Sequence, residues 1–251
     1  MPDPGMPVKS LLAQRYTLRC KTTGPAGGAR PGPMQSKRNN AVAAPDTRER
    51  ILDASLELFN AEGSHAVSTR HIAARLGISP GNLYYHFANK EEIVLCLYGR
   101  IESELEAILG QPDQTARTFD DVLGYLDKIF AHLWSFRFFY RDLNALLGEV
   151  PKLRDRYREL AERVHAQSRR IFAAMVEAGW MEASDEYLDL LATNAWIVLT
   201  QWFTHRQVVE RRRSIQSSDI QDGIRHFVAL FSPLLRAPQR RQLQRAIETA
   251  A

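Results

Sequence analysis

Between Gly77 and Glu92 the chain reads GISPGNLYYHFANKEE. Tyr84, Tyr85, His86 and Phe87 stand in a row, and Lys90 follows. A surface helix buries one stripe of side chains, so four successive rings cannot all face inward. Leu83 and Phe87, four residues apart, share a face and serve as anchors. Tyr84, Tyr85 and His86 are left on the outer and flanking faces. Their hydroxyls and imidazole suit phosphate oxygens and base edges. Lys90 opens the next helix, where a cation opposes the dipole at a cost of about 0.3–1 kcal/mol. A phosphate there satisfies both the ammonium and the free N–H groups of that turn. Thr69, at the start of the preceding short helix, offers a hydroxyl for the same purpose.

Other chemistries lack their residues. There is no HExxH, GxSxG, phosphate loop or Cys/His cluster, and the seven histidines are scattered. Cys20 and Cys96 are lone cysteines without metal spacing, which fits a reducing cytoplasm. We expect no catalytic residue, metal or cofactor. No apolar run reaches the roughly 18 residues of a membrane span, so no membrane partner is expected. The patch from Val8 to Leu18 is broken by Lys9, Gln14 and Arg15 and makes a poor signal peptide.

The elements that must position these side chains are helical throughout. Residues 1–45 carry seven bases and one acid in Pro-, Gly- and Ala-rich sequence, and read as a disordered basic tail. Met34 opens a plausible shorter chain. The pI near 9.2 comes from this tail, because the remaining residues carry 26 bases and 28 acids, a net −2. The first helix begins at Asp46 with an Asp46–Glu49 capping box and ends at Gly63. A short helix from Ser68 or Thr69 stops at Gly77, where a left-handed turn is expected. The third starts at Ser79 with Pro80 in its first position. The fourth starts at Asn89 with an Asn89–Glu92 capping box and runs to Leu109. Ile72, Ala73, Leu76, Ile78, Leu83 and Phe87 pack the short pair, which makes a helix-turn-helix. Such a motif places its second helix in the major groove.

TRERILDASLELFNAEGSHAVSTRHIAARLGISPGNLYYHFANKEEIV, about 48 residues ending in YxxFxxK, resembles the N-terminal domain of the TetR family of bacterial transcriptional regulators. The resemblance implies an all-α fold: a three-helix DNA-binding domain, then a larger helical ligand-binding and dimerisation domain. It implies that Thr69, Tyr84 and Lys90 hold phosphates and that Pro80, Gly81, Asn82, Tyr85 and His86 lie at or near the bases. Proline and glycine lack side-chain donors, so direct readout rests on Asn82, Tyr85 and His86, with DNA shape contributing. The expected divisions are tail 1–45, DNA-binding domain 46–93, ligand-binding and dimerisation domain 94–236, and C-terminal tail 237–251. The implied partners are a palindromic double-stranded operator, a small-molecule effector and a second copy of the chain.

Beyond Pro112 the body reads as helices 119–134, 136–147, 151–179, 185–210 and 215 or 219 to 235, the last. Its aromatics supply core first. As pocket residues for an apolar or aromatic effector we single out Phe130, Trp134, Phe138, Asn144, Phe172, Met175 and Trp196. His132, Asn144, His165, Asn194 and Gln201 are polar residues suited to orienting such a ligand. Leu188, Ala192, Ala195, Trp196, Leu199, Phe227 and Phe231 are the expected dimer face, which a palindromic operator would match. Arg211, Arg212 and Arg213 cap a helix C-terminus. Against the DNA reading, residues 46–93 hold five bases and seven acids. That balance is the best support for an alternative, a helical interaction module that no longer binds DNA. The Thr69, Tyr84 and Lys90 set argues against it.

Overall fold

The computed structural model describes residues 46–109, 118–209 and 217–249. The tail 1–45, with Cys20 and Met34, lies outside them, as do Pro112 and the Arg211–Arg213 run. The described chain is helical, with an isolated β-bridge between Met181 and Leu235.

Three short helices form the head: α1 (Thr47–Glu62), α2 (Thr69–Leu76) and α3 (Pro80–His86). Ile51, Leu52, Phe59, Ile72, Ala73, Leu83 and Phe87 are buried between them. Helix α4 (Lys90–Leu109) leaves the head and packs along α5 (Phe119–Ser135) and α7 (Pro151–Glu177). Helix α6 (Arg137–Glu149) lies against α1, α7 and α8 (Asp185–Val209). Helix α9 (Ser217–Ala229) covers α8 and α5. The break between α7 and α8 turns at Gly179, whose φ of 70° is left-handed. Trp180 there donates its N–H to the Met175 carbonyl at 2.9 Å, closing the helix end.

Two expectations need correction. The chain does not end its helices at Leu235: α10 (Ala237–Thr249) replaces the expected tail and packs on α5, with Leu243 buried. Its sequence, APQRRQLQRAIET, is so polar that Leu243 and Ile247 carry the apolar signal almost alone. Second, Asp46 makes no side-chain cap bond to α1. Glu49 instead pairs with Arg100 of α4 at 2.6 Å, so a long-range cation displaces the local box.

Candidate nucleic-acid interface

Local signals set the geometry of α2 and α3. Ser68 caps α2 by accepting the His71 N–H, while His71 Nδ1 accepts the Ser68 N–H. The capping box is thus present with histidine in the place usually held by Glu or Gln. Gly77 ends α2 with φ 66°, the expected left-handed turn. Ser79 Oγ then accepts the Asn82 N–H at 3.1 Å, and Pro80 occupies the first position of α3. Leu83 and Phe87 are fully buried as anchors.

That inward pair forces the other rings out. Tyr85 is 86% exposed and Tyr84 51%. Pro80, Gly81 and Asn82 are exposed as well, and His86 is half-exposed with its ring edge-on to Tyr85 at 5.2 Å. The hydroxyls of Thr69 and Tyr84 meet at 3.2 Å, so two helices bring one hydroxyl each to a single point. A phosphate oxygen reaching that point accepts from the hydroxyl whose proton is free, and from both once their mutual bond is exchanged for bonds to the phosphate.

Lys90 is placed differently from the other phosphate candidates. Its ammonium donates to the Ser64 carbonyl at 2.9 Å and is half-buried. A lysine has three donors, so two remain for an anion. The expected Asn89–Glu92 box is only half made: Asn89 accepts the Glu92 N–H at 2.8 Å, but the Glu92 carboxylate takes the Ala88 N–H. The acidic balance of residues 46–93 is also softened from outside that segment. Arg100 of α4 pairs with Glu49 and Asp53 at 2.6 and 2.7 Å. Counting charges up to residue 93 misses Arg100.

The seven expected pocket residues are spread over several separate packing contacts. Phe130 lines a cavity of about 10 Å³, room for a single water, with Leu133, Val198, Leu199, Trp202 and Phe203. Phe138 packs on Phe59 of the head at 5.3 Å, Phe172 on Phe231 at 5.9 Å, and Trp196 on Tyr157 at 5.6 Å. Met175 is buried core, Trp134 lies under the Arg137 guanidinium, and Asn144 is exposed. Of the polar candidates, His165 bonds Thr193 at the surface, Asn194 is exposed and Gln201 half-buried. Only His132 points into the core. It is fully buried, and its Nε2 lies 2.9 Å from the Tyr140 hydroxyl. Its Nδ1 has no hydrogen-bond partner and stands 3.6 Å from Glu104; the buried Tyr98 hydroxyl is likewise unpartnered. Burial pushes the Tyr98 and Tyr140 phenols far up, with Glu102 adding to the first and Tyr157 to the second. Tyr140 belongs to the aromatic supply of the middle helices, whereas Tyr98 and Glu104 were missed in the sequence because helical spacing makes them look like ordinary core or rim.

Five of the seven residues expected at a dimer face are covered within their own chain. Leu188, Ala192, Ala195, Phe227 and Phe231 are buried within their own chain, and Trp196 and Leu199 are half-buried. They complete the monomer core because α8 is clasped by α6, α7 and α9. The outer side of α8 instead presents Tyr187, Leu190, Ile197 and Val208, the middle two 55% and 51% exposed. Their spacing of 3, 7 and 11 residues keeps them within one face of a helix.

Among the described residues no group of three or more His, Cys, Asp and Glu side chains is arranged to hold a metal. No described helix is long and apolar enough to cross a membrane.

Comparison with known proteins matches this architecture. The TetR model, described as bacterial transcriptional repressor, matches residues 100–243, and the model for bacterial regulatory proteins of the tetR family matches residues 51–97. A crystal structure of a TetR-family transcriptional regulator from Marinobacter aquaeolei VT8 is 37% identical, with a TM-score of 0.72 over 81% of this chain and 98% of that one. The HTH-type transcriptional regulator UidR of Escherichia coli (strain K12) is 43% identical over 56 residues, 22% of this chain and only 29% of its own length. A complex of SmeT with triclosan shares the fold at 18% identity and TM-score 0.51, over 77% of this chain and 93% of that one.

Proposed function

Since the chain belongs to the TetR family of bacterial transcriptional regulators, we propose that it is a ligand-responsive repressor that binds a palindromic operator as a homodimer. The observation that carries this reading is the Thr69–Tyr84 hydroxyl pair at 3.2 Å beside the exposed Tyr85 and Asn82 of α3. Thr69, Tyr84 and Lys90 contact phosphates and set register. Asn82, Tyr85 and His86 meet base edges, with Pro80 and Gly81 allowing close approach of the backbone. The dimer forms through the exposed apolar row Tyr187, Leu190, Ile197 and Val208 of α8, which meets its own copy about a two-fold axis. It holds two α3 helices about one turn of DNA apart, ~34 Å.

The effector enters the body near His132, Tyr98 and Glu104. Two fully buried polar atoms without partners cost roughly 1–3 kcal/mol each, and a ligand that bonds them recovers that cost. SmeT, a protein of the same fold, has been seen in complex with triclosan. Binding shifts the population toward a state in which α4 is tilted and the two heads no longer match the groove spacing.

The test is fluorescence anisotropy on the intergenic DNA beside the gene, across a salt series, against a scrambled control. Tight, salt-sensitive binding that prefers the native sequence supports the repressor. The absence of binding at low salt to either DNA sinks it and favours an interaction module.

A further inference from the structure

The seam between head and body is polar as well as aromatic. Phe138 packs on Phe59, and beside it Asn60 donates to the Ser135 carbonyl at 2.8 Å and accepts the Phe138 N–H at 3.0 Å. The next turn of α6 brings charges. Arg141, with only 6% of its side chain exposed, donates to the Phe59 carbonyl at 2.8 Å, where α1 ends. It also pairs with Asp142 at 2.8 Å. Asp142 Oδ2 then accepts both the N–H and the hydroxyl of Ser64, at 2.8 and 2.7 Å. Ser64 itself is buried, and its carbonyl accepts the Lys90 ammonium. Gly63, just before it, has φ 97°, and a Cβ there would meet Arg141 Nη2 at 3.3 Å. Residue 63 must therefore be small and left-handed to let the loop close on this pair.

Hydrogen bonds thus link Arg141, Asp142, Ser64 and Lys90 in succession. We infer that Asp142, on the body, is a positioning residue for Lys90 in the head: it clamps Ser64, and the Ser64 carbonyl aims the ammonium toward DNA. The destination of that ammonium rests on the DNA-binding reading above; its placement does not. Burial alone would raise the Asp142 carboxyl, but hydrogen bonds from Arg141 and Ser64 outweigh it and hold it below its ordinary value, so it is a carboxylate at neutral pH. Tyr140, the neighbour of Arg141, bonds the buried His132. The same turn of α6 thus touches the proposed effector cluster and the clamp, and a ligand that moves Tyr140 also loosens Lys90.

Two measurements on the full chain decide this. Acylation of lysines by an N-hydroxysuccinimide ester, read by mass spectrometry, reports Lys90 reactivity with exposed Lys152 as internal reference. Asp142→Asn is expected to raise Lys90 reactivity about threefold to tenfold, as loss of a charge-assisted bond would. Asn60→Ala weakens the same seam without touching Ser64 or Lys90, and is expected to leave that ratio unchanged. Ser64→Ala keeps the backbone clamp and should give a smaller rise. Equal reactivity in Asp142→Asn and wild type, or an equal rise in Asn60→Ala, overturns the assignment. In the second measurement, Asp142→Asn weakens operator binding and lowers the salt slope by about one, while adding it to Lys90→Ala changes nothing further. Full additivity of the two changes overturns the assignment. If wild type binds no DNA, the repressor reading falls and the acylation result still decides the placement of Lys90.

Discussion

The two regions of this molecule use the same side chains in opposite ways. On α3, Tyr84, Tyr85 and His86 stand in solvent, with hydroxyls and imidazole available to a partner. In the body, Tyr98, Tyr140, Tyr157 and His132 turn inward among Phe136, Phe139 and Trp196. A seven-residue helix anchored by Leu83, with Phe87 buried just past its end, has no room to hide a run of rings. Body helices of 13 to 27 residues are covered by several neighbours, so their rings become core. Identical chemistry is therefore a recognition surface in one region and packing in the other, and the difference lies in what the neighbouring helices cover.

The comparison breaks most visibly in stability. Phe138→Ala empties a fully buried site at the seam and is expected to cost about 3–5 kcal/mol in urea unfolding. Tyr85→Ala, at the most exposed ring, should change stability by no more than about 0.5 kcal/mol. Comparable losses at both would mean that Tyr85 is packed in solution and the surface reading of α3 is wrong. In DNA binding the order reverses. Tyr84→Ala or Thr69→Ala should weaken binding to every sequence by about 1.5–3 kcal/mol, the worth of a hydrogen bond to a charged oxygen. Asn82→Ala or His86→Ala should instead relax the preference at one base pair, by about 1–3 kcal/mol. If both pairs act uniformly across sequences, the division into positioning and reading residues fails.

Finer effects sharpen the contrast through pH. The Asp142 carboxyl is depressed in the folded state. A depressed acid stabilises the fold above its unfolded value and loses that contribution as pH falls through its folded value. Acid unfolding below the ordinary carboxylate range, near 4, should therefore be blunted in Asp142→Asn relative to its own neutral stability. The smallest expected effect is alkaline. Burial, partly countered by the Thr200 hydrogen bond, pushes the Tyr157 phenol up to about 12. A raised group stabilises below its unfolded value and loses this as pH rises through the folded one, so stability declines between about 10 and about 12. Tyr157→Phe should flatten that decline in melts recorded across this range.

Much of the head was legible because its signals are local. Ser68, Gly77, Ser79 and Pro80 act on bonds within four residues, and Leu83 and Phe87 are both buried although Phe87 is the extended C-cap of α3 rather than part of its face. The expected turn at Gly77 and start at Pro80 follow from that, and so does the exposure of Tyr84 and Tyr85. In the body the same habit misled. Leu188, Ala192 and Ala195 look like an interface stripe until α6, α7 and α9 are seen to cover it. Glu49 looks like a cap until Arg100 arrives from the next domain.

The amino-acid order alone was enough for the helix-turn-helix, its outward rings and most helices, though not for α10, because hydrogen-bond caps, glycine's left-handed freedom and a 3.6-residue period are properties of neighbouring residues. Only the tertiary structure decided which apolar face of α8 stays free, that Lys90 is held by Ser64, and that Asp142 holds Ser64 in turn. Those outcomes depend on side chains brought together across 26 and 78 positions of chain, and burial and charge pairing at such separations exist only once the helices have packed.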